Sequence, residues 1–389
     1  MQITILGAGT AGVAAAIALA EQGHDITIYE RSNSMSTMGA GIVLWPNATY
    51  IMQKLGLLSQ VQAVSGKLLS MKRLSQTGEN LGKLDIKQLN ELMGYSSYSI
   101  FRHELQSILL QKLDSLGVSV CYGQRVTAIT QADKQQAVVT INDTEEIVAD
   151  MFIAADGRMQ SIARKYINGD NTPLYQNFIN WVGTYETDKD IVNELSVLDI
   201  WGTGKRFGIV PVSNKKVYWA AGMYQPEIGT RIAQNYKQEL TLNFKNWPHP
   251  VAEIIAQVNT ENVNKIYVHD LEPIHKWHRQ NMLLLGDCAH APLPTSGQGA
   301  CQALEDAWCL RTVLNQNNND IESSFEQFTA LRVKKTSAIT YAARGFAGSV
   351  FNSNEQHCRQ RNETSKRTDY AAMAKGMSEL WGAGLASGA

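Results

Sequence analysis

The stretch MQITILGAGTAGVAAAIALAEQGHDITIYER, residues 1–31, decides the fold. Ile3, Ile5 and Leu6 predict a buried strand, the alanine-rich GVAAAIALAEQG a helix ended by Gly23, and DITIYE an alternating second strand. Between the first strand and the helix lies Gly7-Ala8-Gly9-Thr10-Ala11-Gly12. Gly7 suits a tight turn, Gly9 lets the backbone approach a pyrophosphate, and Gly12 lets the helix pack closely on the sheet. The helix start then offers unpaired N–H groups and a positive dipole end to phosphates. Glu30 closes the second strand, placed to accept from ribose hydroxyls, with Arg31 beside an adenine. This βαβ unit suits NAD and FAD equally.

A second run, GDCAHAPLPTSGQGACQALEDA at 286–307, separates the two. Asp287 follows a buried strand and can accept from ribityl hydroxyls; the Gly297–Gly299 loop opens a helix whose N-terminus stabilises negative charge on a reduced flavin. An NAD dehydrogenase has no use for such a second cradle. Gly286, Asp287, His290, Pro294, Gly297, Gln298, Gly299, Glu305, Asp306 and Ala307 resemble the flavin motif of the class A flavoprotein monooxygenases, the p-hydroxybenzoate hydroxylase-like family. The resemblance implies bound FAD, held by Gly7, Gly9, Ala11 and Gly12 at one end and by Gly286, Asp287, Gly297, Gln298, Gly299 and Ala300 at the other.

Three further segments resemble that family. DGRMQSIAR at 156–164 is similar to its Asp-Gly-x-x-Ser-x-x-Arg motif, which serves FAD and the approach of the nicotinamide. Here Ser161 and Arg164 fall one position late, and a one-residue bulge would restore the fit to Asp156. GAGIVLWPNA, with Gly39, Gly41 and Val43, resembles the segment covering the isoalloxazine. Arg102 matches an arginine on the flavin phosphates or ribityl chain; at a helix start it opposes the dipole, which an anion nearby would explain. Val126 matches a backbone contact to adenine.

The expected architecture is α/β: a Rossmann-like FAD-binding domain (1–70, 100–175, 270–345) interrupted by an antiparallel β-sheet substrate domain (71–99, 176–269), with a C-terminal helical segment at 346–389. In KRFGIVPV and KKVYWAAGMY, period two puts Phe207, Ile209, Val217, Trp219 and Met223 on a core face. The other face carries Arg206, Gly208, Val210, Tyr218, Ala220 and Gly222, small residues that leave space for a ligand. By resemblance to the salicylate-, urate- and quinolone-hydroxylating branches, Arg206 would hold a substrate oxygen and Tyr218 would hydrogen-bond or stack on the ring. Pro294, from the Gly-Asp run, is by the same resemblance a third candidate catalytic residue. Arg206 as a solvated hairpin charge is the competing reading. His290 suits a structural role at a tight turn better than that of a base.

Bulk properties bound the rest. A chain of 389 residues with net charge −1 carries no overall basic field for nucleic acid. Five cysteines, an odd number with no CxxC pair, argue against a disulfide framework and a zinc site. No apolar leader and no apolar run of spanning length is present, so the expectation is a cytoplasmic monomer or homodimer without an integral membrane segment. The resemblance implies reduction of FAD by NADPH or NADH and delivery of one oxygen atom of O2, through a flavin hydroperoxide, to a small aromatic or heteroaromatic substrate. An epoxidase or antibiotic-inactivating hydroxylase on the same fold, or a non-catalytic flavin carrier, are the alternatives.

Overall fold

A computed structural model describes residues 1–35, 40–132, 136–192 and 194–385. Gly39 and the last residues of the terminal LASGA lie outside the described residues.

The opening βαβ unit forms as its pattern predicts: strand Gln2–Leu6, helix Thr10–Ala20, strand Asp25–Glu30. Every side chain from Val13 to Leu19 is fully buried, so the helix is apolar all round. It is enclosed because Gln2–Leu6 sits mid-sheet, in the order 278–279, 282–284, 151–154, 2–6, 25–30, 120–122. The pairs from 282–284 through 120–122 are parallel, and the edge strand His278–Arg279 alone runs antiparallel. Three separated stretches of chain therefore build one sheet. That juxtaposition brings Gly7, Asp156 and Gly286, each just beyond a strand end, to the same carboxyl edge, where ligands of open α/β sheets bind.

The second sheet has seven strands, ordered 264–270, 174–186, 216–224, 205–213, 196–201, 70–75, 80–85. It is antiparallel except where Ser196–Trp201 lies parallel to Ser70–Ser75, which the sequence reading did not foresee. Phe207, Ile209, Val217 and Trp219 are buried in one core with Trp181 and Phe244, and Met223 packs at its margin. The alternation assigned this face correctly.

A small third sheet, Gly41–Leu44 with Tyr98–Phe101 and Gly66–Lys67, joins the two larger ones. Tyr98–Phe101 crosses the position where a boundary between substrate and flavin segments was expected. The helix Ile321–Val350 likewise runs on through residue 346 without a break. It is followed by Glu355–Arg367 and Tyr370–Gly382, which pack against the strand Asn80–Asp85. No helix among the described residues is long and apolar enough to cross a membrane.

Candidate active site

The glycine turn is built by exclusion of side chains. Gly7 has φ +111°, and a methyl group there would overlap the Ala155 carbonyl oxygen; one at Gly12 would overlap the Gly7 carbonyl oxygen. At Gly9, by contrast, a methyl would meet nothing within 4 Å, so this backbone faces open space. The helix begins at Thr10 with no side-chain cap. The long helix Gly299–Gln316 also lacks one, as do the helices that begin at Pro46, Leu58, Arg102, Tyr236 and Val251, whereas Asp85, Ser161, Asp320, Asn354 and Asp369 cap the others described. Uncapped helix starts leave N–H donors for an anion.

The two cradles touch. Gly286, at φ +69°, lies so close to the first helix that a methyl there would sit 2.6 Å from Ala11 Cβ. Asp287 is directed to the start of the second helix, 4.0 Å from where a Gly299 methyl would be. Gln298 is fully buried, its carbonyl oxygen accepting from Asn47 and Gln302 while its amide nitrogen has no partner among the described residues. Ala300 continues the first turn of that helix, half-buried. Open backbone at Gly9, two adjoining uncapped helix starts and an orphaned buried amide fit a long dinucleotide with phosphates at one end and a flavin at the other.

Other expected contacts are partly redirected. Both Glu30 oxygens accept backbone N–H groups, from Ala8 at 2.9 Å and Ser32 at 2.8 Å, so the carboxylate stiffens the turn as well as facing its mouth. Arg31 and Arg102 are exposed, and the Arg102 backbone donates to the Ala40 carbonyl. Val126 opens a strand that follows Gln124, whose N–H bonds Glu30, which brings it beside the cradle.

The shifted Asp-Gly motif resolves in an unforeseen way. Ser161 caps the helix Ile162–Asn168 and donates to Asp156 at 2.7 Å, so this pair forms across the extra residue. Burial pushes the Asp156 carboxyl up from its ordinary value, against the opposing hydrogen bonds. Arg164 is buried instead of facing a nucleotide: it donates to the carbonyls of Cys288, Ala289 and Glu272, tying Asp-Gly to the Gly-Asp loop. Arg158, which the sequence reading passed over, pairs with Asp287 at 2.8 Å.

His290 is structural. It is buried, and its Nε2 lies 2.6 Å from Asp306, which also accepts from the Gly286 N–H and Arg332. Glu305 accepts from Asn47, Gln302, Arg332 and Lys335. This buried ionic cluster, anchored on a helix remote in sequence, braces both flavin-side loops.

On the second sheet, Tyr218 packs so tightly on Gly41 that a methyl there would overlap its ring. It thus joins the substrate sheet to the strand resembling the flavin cover, near Val43, whose carbonyl faces Cys301. Arg206 is no solvated hairpin charge: its Nε donates to buried Asp199 at 2.6 Å and its guanidinium lies over the Phe346 ring. Space on this face is smaller than expected, because Phe351 and Asn180 crowd Gly222. The floor at Gly208 stays open, its nearest neighbour the Ala220 carbonyl at 3.9 Å. Pro294 is exposed in a short turn packed on the helix Ile321–Val350. An open recess of about 550 Å³ lies on the opposite side, lined by Thr184, Trp219 and Gln257. It borders neither helix start, and the chemistry-bearing side chains are on the other face.

Comparison with known proteins agrees with this cradle. Residues 1–332 match the family model described as FAD binding domain. The chain is 31% identical to an FAD-dependent urate hydroxylase of Klebsiella pneumoniae over 346 residues, covering 88% of this chain and 89% of the relative. It is 27% identical to 6-hydroxynicotinate 3-monooxygenase of Pseudomonas fluorescens, covering 87% and 90%. The crystal structure of Klebsiella pneumoniae HpxO complexed with FAD and uric acid superposes with a TM-score of 0.90 at 28% identity, over 98% of this chain and 97% of that one. The chain belongs to the class A flavoprotein monooxygenases and carries their FAD-binding domain. It is an FAD-dependent monooxygenase, and so an oxidoreductase.

Proposed function

We infer that the chain hydroxylates a small aromatic or heteroaromatic compound, with electrons from NADH or NADPH and oxygen from O2. The observation that carries this reading is the single face on which Arg206 and Tyr218 stand at either end of the open Gly208–Ala220 floor, with Tyr218 seated on Gly41. Tyr218 pairs with Val210, four residues along the strand from Arg206, which spans about 13 Å at ~3.3 Å per residue. A span of that length would suit one or two fused rings with a polar contact at each end. The relatives act on urate and 6-hydroxynicotinate, both planar heteroaromatics, and these are the first compounds to try.

FAD, when bound, would supply the redox chemistry: it stores the two electrons and activates oxygen. The chain's own groups do the rest. The helix starts at Thr10 and Gly299, with Asp287, would hold FAD at its two ends. The Arg206 guanidinium, whose Nη atoms have no described partner, would take an oxygen or anionic edge of the ring. Burial raises the Tyr218 phenol above its ordinary value, so it remains protonated and acts as a donor. Close packing of Tyr218 on Gly41 keeps water from the reacting face, where activated oxygen would otherwise be lost as peroxide. Pro294, exposed in the turn that leads into the second helix, would bound the entrance.

The test is oxygen-dependent NADH and NADPH consumption by the yellow protein across urate, hydroxynicotinates and aromatic acids, with product analysis. Arg206→Ala should abolish the substrate response and leave flavin content intact. Stimulation only by alkenes or polyketides would refute the substrate class, and flavin loss in the variant would refute the placement of Arg206.

A further inference from the structure

We propose that Asp199 is a positioning residue: it fixes the Arg206 guanidinium by its Nε edge and leaves both Nη groups directed at the substrate. This rests on the reading of Arg206 as the substrate anchor.

The strand Ser196–Trp201 alternates between two environments. Ile200 packs in the outer core, while Val197, Asp199 and Trp201 point to the face that carries Arg206 and Gly208. An acid at an inward position is costly to bury unless paired. Asp199 is 1% exposed, and its one described partner is Arg206, through Oδ1 at 2.6 Å. Its Oδ2 is buried without a partner among the described residues. In register Asp199 lies opposite Gly208, so Arg206 reaches it diagonally, the spacing over which long side chains meet across a sheet.

Two more arginines stand near, yet neither takes the carboxylate. Arg73 is directly opposite Asp199 on the neighbouring strand, but its guanidinium lies over the Trp201 and Tyr370 rings and donates to the Tyr370 hydroxyl. Arg361 lies over Trp201 as well and donates to the carbonyls of Gly202, Ser349 and Val350. Among the described residues Asp199 therefore hydrogen-bonds to Arg206 alone, while its charge also acts on Arg361. A single Nε contact selects one orientation of a planar fork, and Phe346 below the guanidinium fixes its plane. What remains free is the edge that suits a planar anion with two acceptors.

The experiment uses the FAD-loaded protein. Urate, 6-hydroxynicotinate, 3-amino-4-hydroxybenzoate and benzoate are titrated against the flavin absorption bands, and the compound that perturbs them most serves as probe. Asp199→Asn and Arg206→Gln should each weaken probe binding about tenfold or more. The double variant should bind no more weakly than Arg206→Gln alone, because both changes break one interaction. Asp199→Glu, which keeps the carboxylate, should recover part of the affinity and of the product formed per NADH consumed. Melting temperature and flavin content are followed in parallel. If Asp199→Asn melts lower but binds the probe normally, while Arg206→Gln does not, Asp199 is structural only and the proposal fails. If Arg206→Gln also binds normally, or no compound perturbs the wild-type bands, the reading of Arg206 as the anchor fails with it.

Discussion

Tyr218 and Gly41 show how one missing methyl can define a site. The phenol occupies the volume that any other residue at 41 would fill, so the hydroxyl is held at the junction of two sheets. Burial raises its ionisation above the ordinary value near 10, and no phenolate should form in the working range. Tyr218→Phe should retain flavin and fold, and lose about 1 kcal/mol of substrate binding, the net worth of one hydrogen bond. Titration of tyrosinate absorbance should give the same curve for wild type and variant up to about pH 10, because Tyr218 is silent there. Parity along KKVYWAAGMY told which way Tyr218 faces, whereas Gly41 as its contact could be known only once the chain had folded. Arg206 was assigned to the right face for the same reason. Asp199 was missed although its signal was present: an acid in phase with Val197 and Trp201 is an acid pointing inward.

Among the elements, the first helix is the most constrained by its own residues. Gly12 lies against the Gly7 carbonyl, and Gly286 against Ala11, so the first helix start sits close against both its own turn and the Gly-Asp loop. Gly12→Ala would force helix and turn apart by driving a methyl into a carbonyl oxygen. We expect a folded, colourless protein, checked by its visible spectrum after incubation with FAD; a yellow variant with wild-type flavin content would contradict the geometry. Here the motif spacing was almost a full description, because strand, turn and helix are contiguous and their geometry is local. The Asp-Gly segment was less legible. The extra residue before Ser161 was visible, yet the burial of Arg164 against the carbonyls at 272, 288 and 289 depends on partners more than a hundred residues away.

Across the whole molecule, the helix Ile321–Val350 acts as a brace. Its Arg332 and Lys335 reach Glu305 and Asp306, and Lys335 also binds the carbonyls of Trp381 and Ala383 near the end of the last helix. Trp381 in turn packs on Trp45, beside Gly297. Breaking a buried pair by removing one partner leaves an uncompensated charge, so Arg332→Met should cost about 3–5 kcal/mol, measured by urea unfolding. The pH dependence has a definite sign. Burial works to raise the Asp306 carboxyl, but the charges of His290 and Arg332 outweigh it and the net shift is downward. A carboxyl lowered on folding stabilises the protein above its unfolded value near 3.9, and that stability is lost as pH falls through the folded value. The wild type should hold this contribution to about pH 4 and lose it below, and in Arg332→Met, which keeps less of the downward shift, the acid loss due to Asp306 should be smaller.

The residues alone determined the βαβ opening, the second glycine cradle and the two faces of the substrate strands. Each of these follows from periods of 3.6 and 2, or from glycine where a side chain cannot fit, and such rules act over a few neighbouring residues. Only the folded chain decided that Arg206 is tethered by Asp199, that Arg164 is buried, and that Phe351 narrows the pocket. Those depend on which strands become neighbours and which helix lies across them. Contacts of that kind are chosen by packing over the whole core, and no local pattern encodes them.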